Sequence, residues 1–263
     1  MSVEQNTPAV REVGTPPSFL GRNKVPESRF GSAPRTAKQR FLALFSRAQV
    51  LDFTERAVVL ILFLYFANNM FPRFAALILT EIAHPELLWL AASTNLQAAL
   101  LVISESLGVF LILMRHPTTI VSTRPFDWAL SLMAVNAPLL VAPAAASTLI
   151  PLEFATTLMA AGMVTQIAAK AALWRSFGLV PANRGIRTKG PYRIVRHPMY
   201  AGYTLTHIGF LLGFPSLQNS LLYLAVFLIE IVRIFREELI LKTDPLYSAY
   251  ASRVRYRLLP GVF

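Results

Sequence analysis

Six long apolar blocks, separated by shorter polar segments, dominate the chain. They cover residues 57–79, 94–114, 126–147, 151–174, 199–214 and 218–235. A helix needs roughly 20 mostly apolar residues to span a bilayer; the blocks approach this length, and the fifth needs help from its flanks. Because backbone polar groups in lipid must be hydrogen-bonded within their own segment, each block is predicted to be helical. The pattern predicts an all-α, multi-span transmembrane protein with about six spans.

The same pattern divides the chain into three regions. Residues 1–55 form an N-terminal cytoplasmic extension, and its first 35 residues are rich in Pro, Ser, Gly and charge, which is typical of disorder. Residues 36–53 alternate basic and apolar positions at helical spacing, so they fit either an interfacial helix or an extension of the first span. Residues 56–174 hold a four-span scaffold. Residues 175–263 hold the last two spans and the most polar loop, and this half is predicted to face the cytoplasm.

Composition and charge support a membrane location. Hydrophobic residues make up 54% of the chain and charged residues 15%, whereas soluble domains carry about 25% charged residues. The net charge is +11, and its cations alternate from loop to loop, so that every second loop between the predicted spans lacks Lys and Arg. This positive-inside pattern predicts a multi-pass protein of the cell inner membrane with both termini in the cytoplasm. The basic excess then contacts anionic lipid, and nucleic acid is not an expected partner.

The segment GPYRIVRHPMYAGY, residues 190–203, places two arginines, one histidine and three tyrosines between two apolar blocks. A residue before proline avoids the helical region and proline suits the first helical turn, so the fifth helix is predicted to begin at Pro198, with His197 at its mouth. The free N–H groups of a helix start attract anions. Interfacial anchoring explains single arginines and tyrosines, but it does not require His-Pro or the nearby Gly185 and Gly190. The segment is therefore predicted to form a ligand site.

A second polar group follows on the sixth block. Glu230, Arg233 and Glu237 are spaced three and four residues apart, so they share one helical face. This face fits either part of a site or an ion network that satisfies itself. The adjacent Glu237 and Glu238 point in different directions, so one carboxylate can face a pocket while the other faces Lys242 or water. The helix then breaks, and a short tyrosine-bearing helix is predicted to fold back over the site.

Taken together, GPYRIVRHPMYAGY and the later run REELILKTDPLYSAYASRVRYRLLPG resemble the catalytic half of the isoprenylcysteine carboxyl methyltransferase and phospholipid methyltransferase superfamily. The resemblance covers residues 179–263 and implies that residues 175–263 are the catalytic half of the chain. It implies an integral membrane methyltransferase that uses S-adenosyl-L-methionine, acts on a lipid-like or prenylated acceptor and needs no metal. It implies that Arg233 contacts the acceptor carboxylate. It also implies that the cofactor contacts Arg184, Gly185, Ile186, Arg187, Gly190, Tyr192, His197, Pro198, Met199, Tyr200 and Glu237.

The chemistry of methyl transfer agrees with these residue types. The methyl donor carries a carboxylate that suits a helix start and arginines, an ammonium that suits Glu237, and an adenine and a sulfonium that suit tyrosines. A G-x-G-x-x-G fingerprint is absent from the sequence, which argues against a Rossmann-type donor site. Methyl transfer is an in-line displacement that depends on alignment. A carboxylate acceptor needs no base, whereas an amine must lose a proton, with His207 or Glu230 as candidate bases.

The first expectation is a carboxyl methyltransferase, and three alternatives stay open. A phospholipid N-methyltransferase would use the same half of the chain on an amine. The ending VRYRLLPGVF also resembles membrane sterol reductases, which use NADPH, so a membrane oxidoreductase is a second alternative. A non-catalytic membrane protein that keeps the same half-fold is the third. Binding of the donor or of NADPH separates a methyltransferase from the oxidoreductase and from the non-catalytic protein, and the choice between carboxylate and amine acceptors stays open.

The alternation of basic loops generates a topology prediction. The chain has no cysteine, so single cysteines can be introduced as labels at Thr188 and at Ser216. We expect Thr188→Cys to react with a membrane-impermeant maleimide only from the cytoplasmic face, and Ser216→Cys only from the opposite face. Labelling is measured on oriented vesicles, with the cysteine-free chain as the control. Reaction of Thr188→Cys from the outer face alone would contradict the predicted orientation.

Overall fold

Helices make up almost all of the regular structure in the computed structural model, which describes residues 47–83, 88–141 and 148–263. The described ranges hold seven helices: α1 (Arg47–Ala83), α2 (Leu88–Met114), α3 (Pro125–Asn136), α4 (Leu152–Leu173), α5 (Pro198–Gly213), α6 (Leu217–Leu241) and α7 (Pro245–Arg253). Short 3₁₀ turns follow α3, follow α4 and precede α5, at Ala137–Leu140, Trp174–Ser176 and Gly190–Arg193. The described ranges contain no strand, only one isolated antiparallel bridge between Val121 and Ala182. The all-α prediction is confirmed.

Among the residues that the structure describes, two helical segments are long and apolar enough to cross a membrane by length and composition, Leu96–Met114 and Leu152–Ser176. The six predicted spans and their orientation stay predictions. The third apolar block differs from its predicted form, because α3 ends after 12 residues and a 3₁₀ turn follows. Pro138 lies in that turn and has no N–H to continue the helical ladder. Residues 142–147 of this block lie outside the described residues.

The first helix is longer than the first apolar block. It runs for 37 residues from Arg47 and continues through Pro72. Residues 47–53 of the segment with the basic–apolar alternation form the first turns of this helix, and residues 36–46 lie outside the described residues. The extension 1–35 lies outside them as well.

Helices α4 and α5 pack with their backbones almost in contact. A Cβ added to Gly202 would lie 2.7 Å from the carbonyl oxygen of Gly162, and one added to Gly209 would lie 2.8 Å from the amide nitrogen of Met159. Small residues are typical of membrane helix pairs because they allow this close approach. Beside the crossing, Gln166 Nε2 donates a hydrogen bond of 3.0 Å to the hydroxyl of Thr206. The packing fixes α5, and with it the helix start at Pro198.

The chain after α7 returns to the start of α5. The amide of Arg196 donates to the carbonyl of Tyr256 at 2.9 Å, and the amide of His197 donates to the carbonyl of Arg257 at 2.8 Å. Leu258 packs in a small core with Tyr200 and Ile234, and Phe263 lies against it. The C-terminal segment is therefore part of the wall around the residues predicted to form the site.

Candidate functional site

A cleft of about 710 Å³, part of it open to solvent, lies where the loop between α4 and α5 meets the starts of α5 and α7 and the end of α6. Nine residues predicted to bind a cofactor line it together: Arg184, Gly185, Ile186, Arg187, Tyr192, His197, Met199, Tyr200 and Glu237. The structure thus brings the loop, the His-Pro segment and the first glutamate of the pair to one place.

The other predicted site residues lie around this cleft without lining it. Pro198 is the first residue of α5, as the sequence predicts, and Gly190 opens the preceding 3₁₀ turn with a φ of +62° that favours glycine. His207 lies in α5, two turns after Tyr200. Arg233 and Glu230 lie in α6, about one and two turns before Glu237. Their catalytic roles and the cofactor contacts stay predictions.

His197 stands between the two neighbouring glutamates of α6. Its Nδ1 lies 3.7 Å from Oε2 of Glu237, and its Nε2 lies 3.4 Å from Oε1 of Glu238. The Glu237 side chain is 27% exposed and lines the cleft, whereas that of Glu238 is 1% exposed. The two carboxylates therefore point in different directions, as their helical spacing predicts. Glu237 is the carboxylate that a ligand can reach.

Glu238 is the centre of a buried ion cluster. Arg196 Nε donates to its Oε1 at 2.8 Å, and Arg257 Nη2 donates to its Oε2 at 3.2 Å. Lys242 Nζ lies 3.6 Å from Oε2, so the predicted contact with Lys242 is present as the outer edge of this cluster. Burial alone would raise the pKa of Glu238, but His197 and the two arginines hold it below its usual range. Glu238 joins α6 to the start of α5 and to the C-terminal segment.

Three buried tyrosines form the aromatic wall of the cleft. Tyr192, Tyr247 and Tyr250 are each less than a tenth exposed, and the Tyr250 hydroxyl donates to the carbonyl of Tyr192 at 2.7 Å. Burial raises the pKa of all three phenols, that of Tyr250 to about 12, so they are neutral at physiological pH and can donate hydrogen bonds. Within the described residues, the buried hydroxyl of Tyr247 has no hydrogen-bond partner. It is a donor available to a ligand.

Another part of the wall is the segment of residues 178–187 in the loop between α4 and α5. Arg184 Nη2 donates to Oε2 of Glu55 at 3.0 Å, and its buried Nε has no partner among the described residues. Arg187 is exposed and donates through Nε to the hydroxyl of Ser176 at 3.1 Å. A Cβ at Gly178 would overlap the Arg184 guanidinium, so the backbone approaches it closely there. This wall carries positive charge opposite Glu237.

Arg233 and Glu230 are buried beneath the cleft, on the face of α6 that the sequence predicts. The Arg233 guanidinium lies over the Tyr200 ring, 5.3 Å from its centroid, and Nη2 donates to the Leu179 carbonyl at 3.1 Å. Nε of Arg233 and Oε2 of Glu230 are buried with no hydrogen-bond partner among the described residues. No ion pair within 4.0 Å joins Arg233 to Glu230 or Glu237 in the described part of the chain. This face of α6 therefore carries one donor, on Arg233, and one acceptor, on Glu230, that have no partner among the described residues.

Two further polar residues have partners that the sequence does not reveal. His207 stacks on Tyr223 of α6, with ring centroids 4.3 Å apart. Glu105 of α2 lies 3.2 Å from the Lys170 ammonium, which also donates to the Ser104 hydroxyl at 2.8 Å. This ion pair joins α2 to α4, and it is a helix–helix contact away from the residues that line the cleft.

Some residues of the cleft carry no strong sequence signal. Gly178, Val180 and Ala182 form part of its wall, and nothing in their types marks them as ligand contacts. The two tyrosines of α7 carry a signal, since their spacing of three predicts one helical face. Glu55 is different, because it lies more than 120 residues before the loop that it contacts and only the tertiary structure reveals the pair.

Comparison with known families gives a match to part of the chain. A family model described as phospholipid methyltransferase matches residues 152–244, which span α4, α5 and α6 and most of the cleft. That family lies within the membrane methyltransferase superfamily that includes the isoprenylcysteine carboxyl methyltransferases, so the resemblance seen in the sequence is confirmed for this segment. The match implies methyltransferase activity in a membrane-associated protein. No curated protein shows a sequence match to the chain.

The ion cluster generates a stability prediction. Glu238→Gln leaves Arg196, Arg257 and His197 without their shared anion, and we expect a loss of roughly 3 kcal/mol in the free energy of unfolding at pH 7. The matched control is Glu237→Gln on the same helix, with an expected change within about 0.5 kcal/mol. Thermal or denaturant unfolding of the detergent-purified variants measures both. Equal stability of the two variants would contradict the structural role of Glu238.

The pH dependence of the free energy of unfolding gives a second prediction for Glu238→Gln. The pKa of Glu238 is lower in the folded than in the unfolded protein, so its stabilisation is present above the usual carboxyl pKa of about 4.3 and is lost as the pH falls below it. The stability difference between wild type and Glu238→Gln should therefore shrink on acidification. A difference that grows as the pH falls would contradict this assignment.

Proposed function

We propose that the protein is an integral membrane methyltransferase that binds S-adenosyl-L-methionine in the cleft and methylates a lipid-like acceptor at cytoplasmic depth. The observation that carries this proposal is the convergence of Glu237, a cationic loop and three neutral tyrosines in one cleft, most of whose lining residues lie in the matched segment 152–244. The cleft adjoins the basic loop that the charge pattern assigns to the cytoplasm. The proposed orientation has both termini on that side, in the cell inner membrane.

The chemical groups of the methyl donor fit the residues of the cleft. The N–H groups at the start of α5 and the guanidinium groups of Arg184 and Arg187 suit its carboxylate. Glu237, the exposed carboxylate of the pair, suits its ammonium. The tyrosine wall suits its adenine and sulfonium, because aromatic faces attract cations and stack on planar rings. Once bound, the donor supplies an activated methyl group.

The chain has to bring an acceptor into line with that methyl group and exclude water, because an in-line displacement depends mainly on alignment. Arg233 lies directly beneath Tyr200 of the cleft and keeps Nε free for a second ligand. A guanidinium can hold a carboxylate through two parallel hydrogen bonds. An amphiphilic acceptor would reach it from the lipid between helices, with its acidic head at the cleft. A carboxylate acceptor of the isoprenoid or prenyl-thioether type requires no base.

Phospholipid N-methylation is the second candidate, and the buried Glu230 favours it. Its free Oε2 lies on the same face as Arg233, so one surface offers an anion for an ammonium and a cation for a phosphate. An amine must lose a proton before it attacks, and Glu230 is better placed for this than His207, whose ring is stacked on Tyr223. The matched family model bears the description phospholipid methyltransferase, which gives this candidate further support.

Donor binding tests the proposed function directly. We expect detergent-purified protein to bind S-adenosyl-L-methionine in calorimetric titration and not to bind NADPH. Glu237→Gln should weaken donor binding about tenfold or more, because a charged hydrogen bond to the ammonium is lost. Glu153→Gln, the same change at an exposed position of α4, is the control and should leave affinity unchanged. Binding of NADPH in place of the donor would overturn the proposal, and unchanged affinity in Glu237→Gln would remove Glu237 from the site.

Arg233 gives a prediction about the acceptor. Lysine keeps the charge but loses the planar fork, so Arg233→Lys should lower methyl transfer at least about tenfold while donor affinity stays near that of wild type. Arg253→Lys, on the exposed side of α7, is the matched control with expected normal transfer. The measurement is transfer of a labelled methyl group to a panel of prenyl-thioether acids and amine phospholipids. Normal transfer by Arg233→Lys would remove Arg233 from the site, and activity on amines alone would exclude the carboxylate acceptor.

A further inference from the structure

We propose that Glu55, in the third turn of α1, is a positioning residue for the cleft. Its carboxylate holds the loop wall formed by residues 178–184 and, through one peptide group, the guanidinium of Arg233. The proposal rests on the proposed function for the roles of the cleft and of Arg233. Glu55 lies outside residues 152–244, so part of the site's geometry depends on the region that precedes the matched family segment.

The Glu55 carboxylate is buried and fully occupied by donors. The residue is 1% exposed, and Oε1 accepts hydrogen bonds from the amides of Leu179 and Val180 at 2.6 and 3.1 Å. Oε2 accepts from Nη2 of Arg184 at 3.0 Å, and Nη1 of Arg115 lies 2.8 Å from Oε1. Two backbone donors and two guanidinium groups therefore converge on one carboxylate. Val180 and Arg184 both line the cleft.

The peptide group between Leu179 and Val180 transmits this contact to Arg233. Its N–H, from Val180, donates to Glu55, and its C=O, from Leu179, accepts from Nη2 of Arg233 at 3.1 Å. Because a peptide group is planar, tilting one end moves the other. Ser131 Oγ also donates to this carbonyl at 3.1 Å, which further restricts its orientation. Loss of the Glu55 bonds would thus change both the cleft wall and the carbonyl that holds Arg233.

Charge neutralisation alone would not require this geometry. Asp52, one turn earlier on α1, belongs to the same cluster, since its Oδ1 lies 2.6 Å from Nη2 of Arg115 and 3.9 Å from Nη2 of Arg184. No hydrogen bond joins Asp52 to the backbone of Leu179 or Val180 in the described part of the chain. Asp52→Asn and Glu55→Gln therefore both remove one charge from the cluster, but only Glu55→Gln leaves a single acceptor oxygen, beside an NH₂ donor, for the two loop amides and Arg184.

Hydrogen exchange on the full-length wild-type protein, resolved to single amides, provides the first test and needs no variant. The amides of Leu179 and Val180 should exchange at least about tenfold more slowly than those of the exposed residues Arg187 and Thr188 in the same loop. Exchange at equal rates would overturn the proposal even if Glu55→Gln failed to fold. This result does not depend on whether the protein binds a methyl donor.

The variants provide the second test. Glu55→Gln should accelerate exchange of both amides about tenfold or more, weaken binding of S-adenosyl-L-methionine, and lower methyl transfer at saturating donor by a similar factor. Asp52→Asn should leave all three near wild type, even if both variants melt earlier. If the two substitutions had equal effects, Glu55 would act only as a negative charge in the cluster, and the proposal would be overturned. Absence of donor binding in the wild type would instead reject the proposed function, while the exchange rates still decide the role of Glu55 in the loop.

Discussion

The arrangement of the site depends on one buried carboxylate, that of Glu238. It accepts hydrogen bonds from Arg196 and Arg257 and lies beside His197, so it joins the end of α6 to the entry of α5 and to the C-terminal segment. Removing any of these partners would leave a buried charge uncompensated, which is costly in a low-dielectric interior. This constraint holds His197 at the mouth of α5 and leaves the neighbouring Glu237 as the carboxylate that faces the cleft.

Two other constraints complete the frame of the cleft. The glycine contacts between α4 and α5 fix the helix that begins at Pro198, because side chains larger than hydrogen would separate the two backbones. The Glu55 carboxylate fixes the loop wall of residues 178–184 through the amides of Leu179 and Val180. The cleft therefore lies among three rigid contacts, and its tyrosines and free donors are ordered before a ligand arrives. Such preorganisation suits a reaction whose rate depends on alignment.

Much of the site could be predicted from the sequence, because several of its features follow from effects that act within a few residues. Proline determined the start of α5, and helical spacing separated the directions of Glu237 and Glu238, as the structure has them. Local pattern is a weaker guide at other positions. The third apolar block predicts a span, but α3 ends at Asn136 and a 3₁₀ turn containing Pro138 follows. Glu230 and Arg233 share a face, yet each has unpaired capacity that spacing alone does not reveal.

By itself, the sequence determined the helical class, the apolar blocks, the start of the fifth helix and the resemblance of residues 179–263 to membrane methyltransferases. These properties follow from periodicity, proline stereochemistry and short motifs, all of which act over a few residues. Only the tertiary structure decided that Glu238 is enclosed by two arginines and that Glu55 holds a loop more than 120 residues away. Contacts of this kind depend on how the helices pack. A buried carboxylate must be hydrogen-bonded, and the tertiary structure decides which donors lie near it.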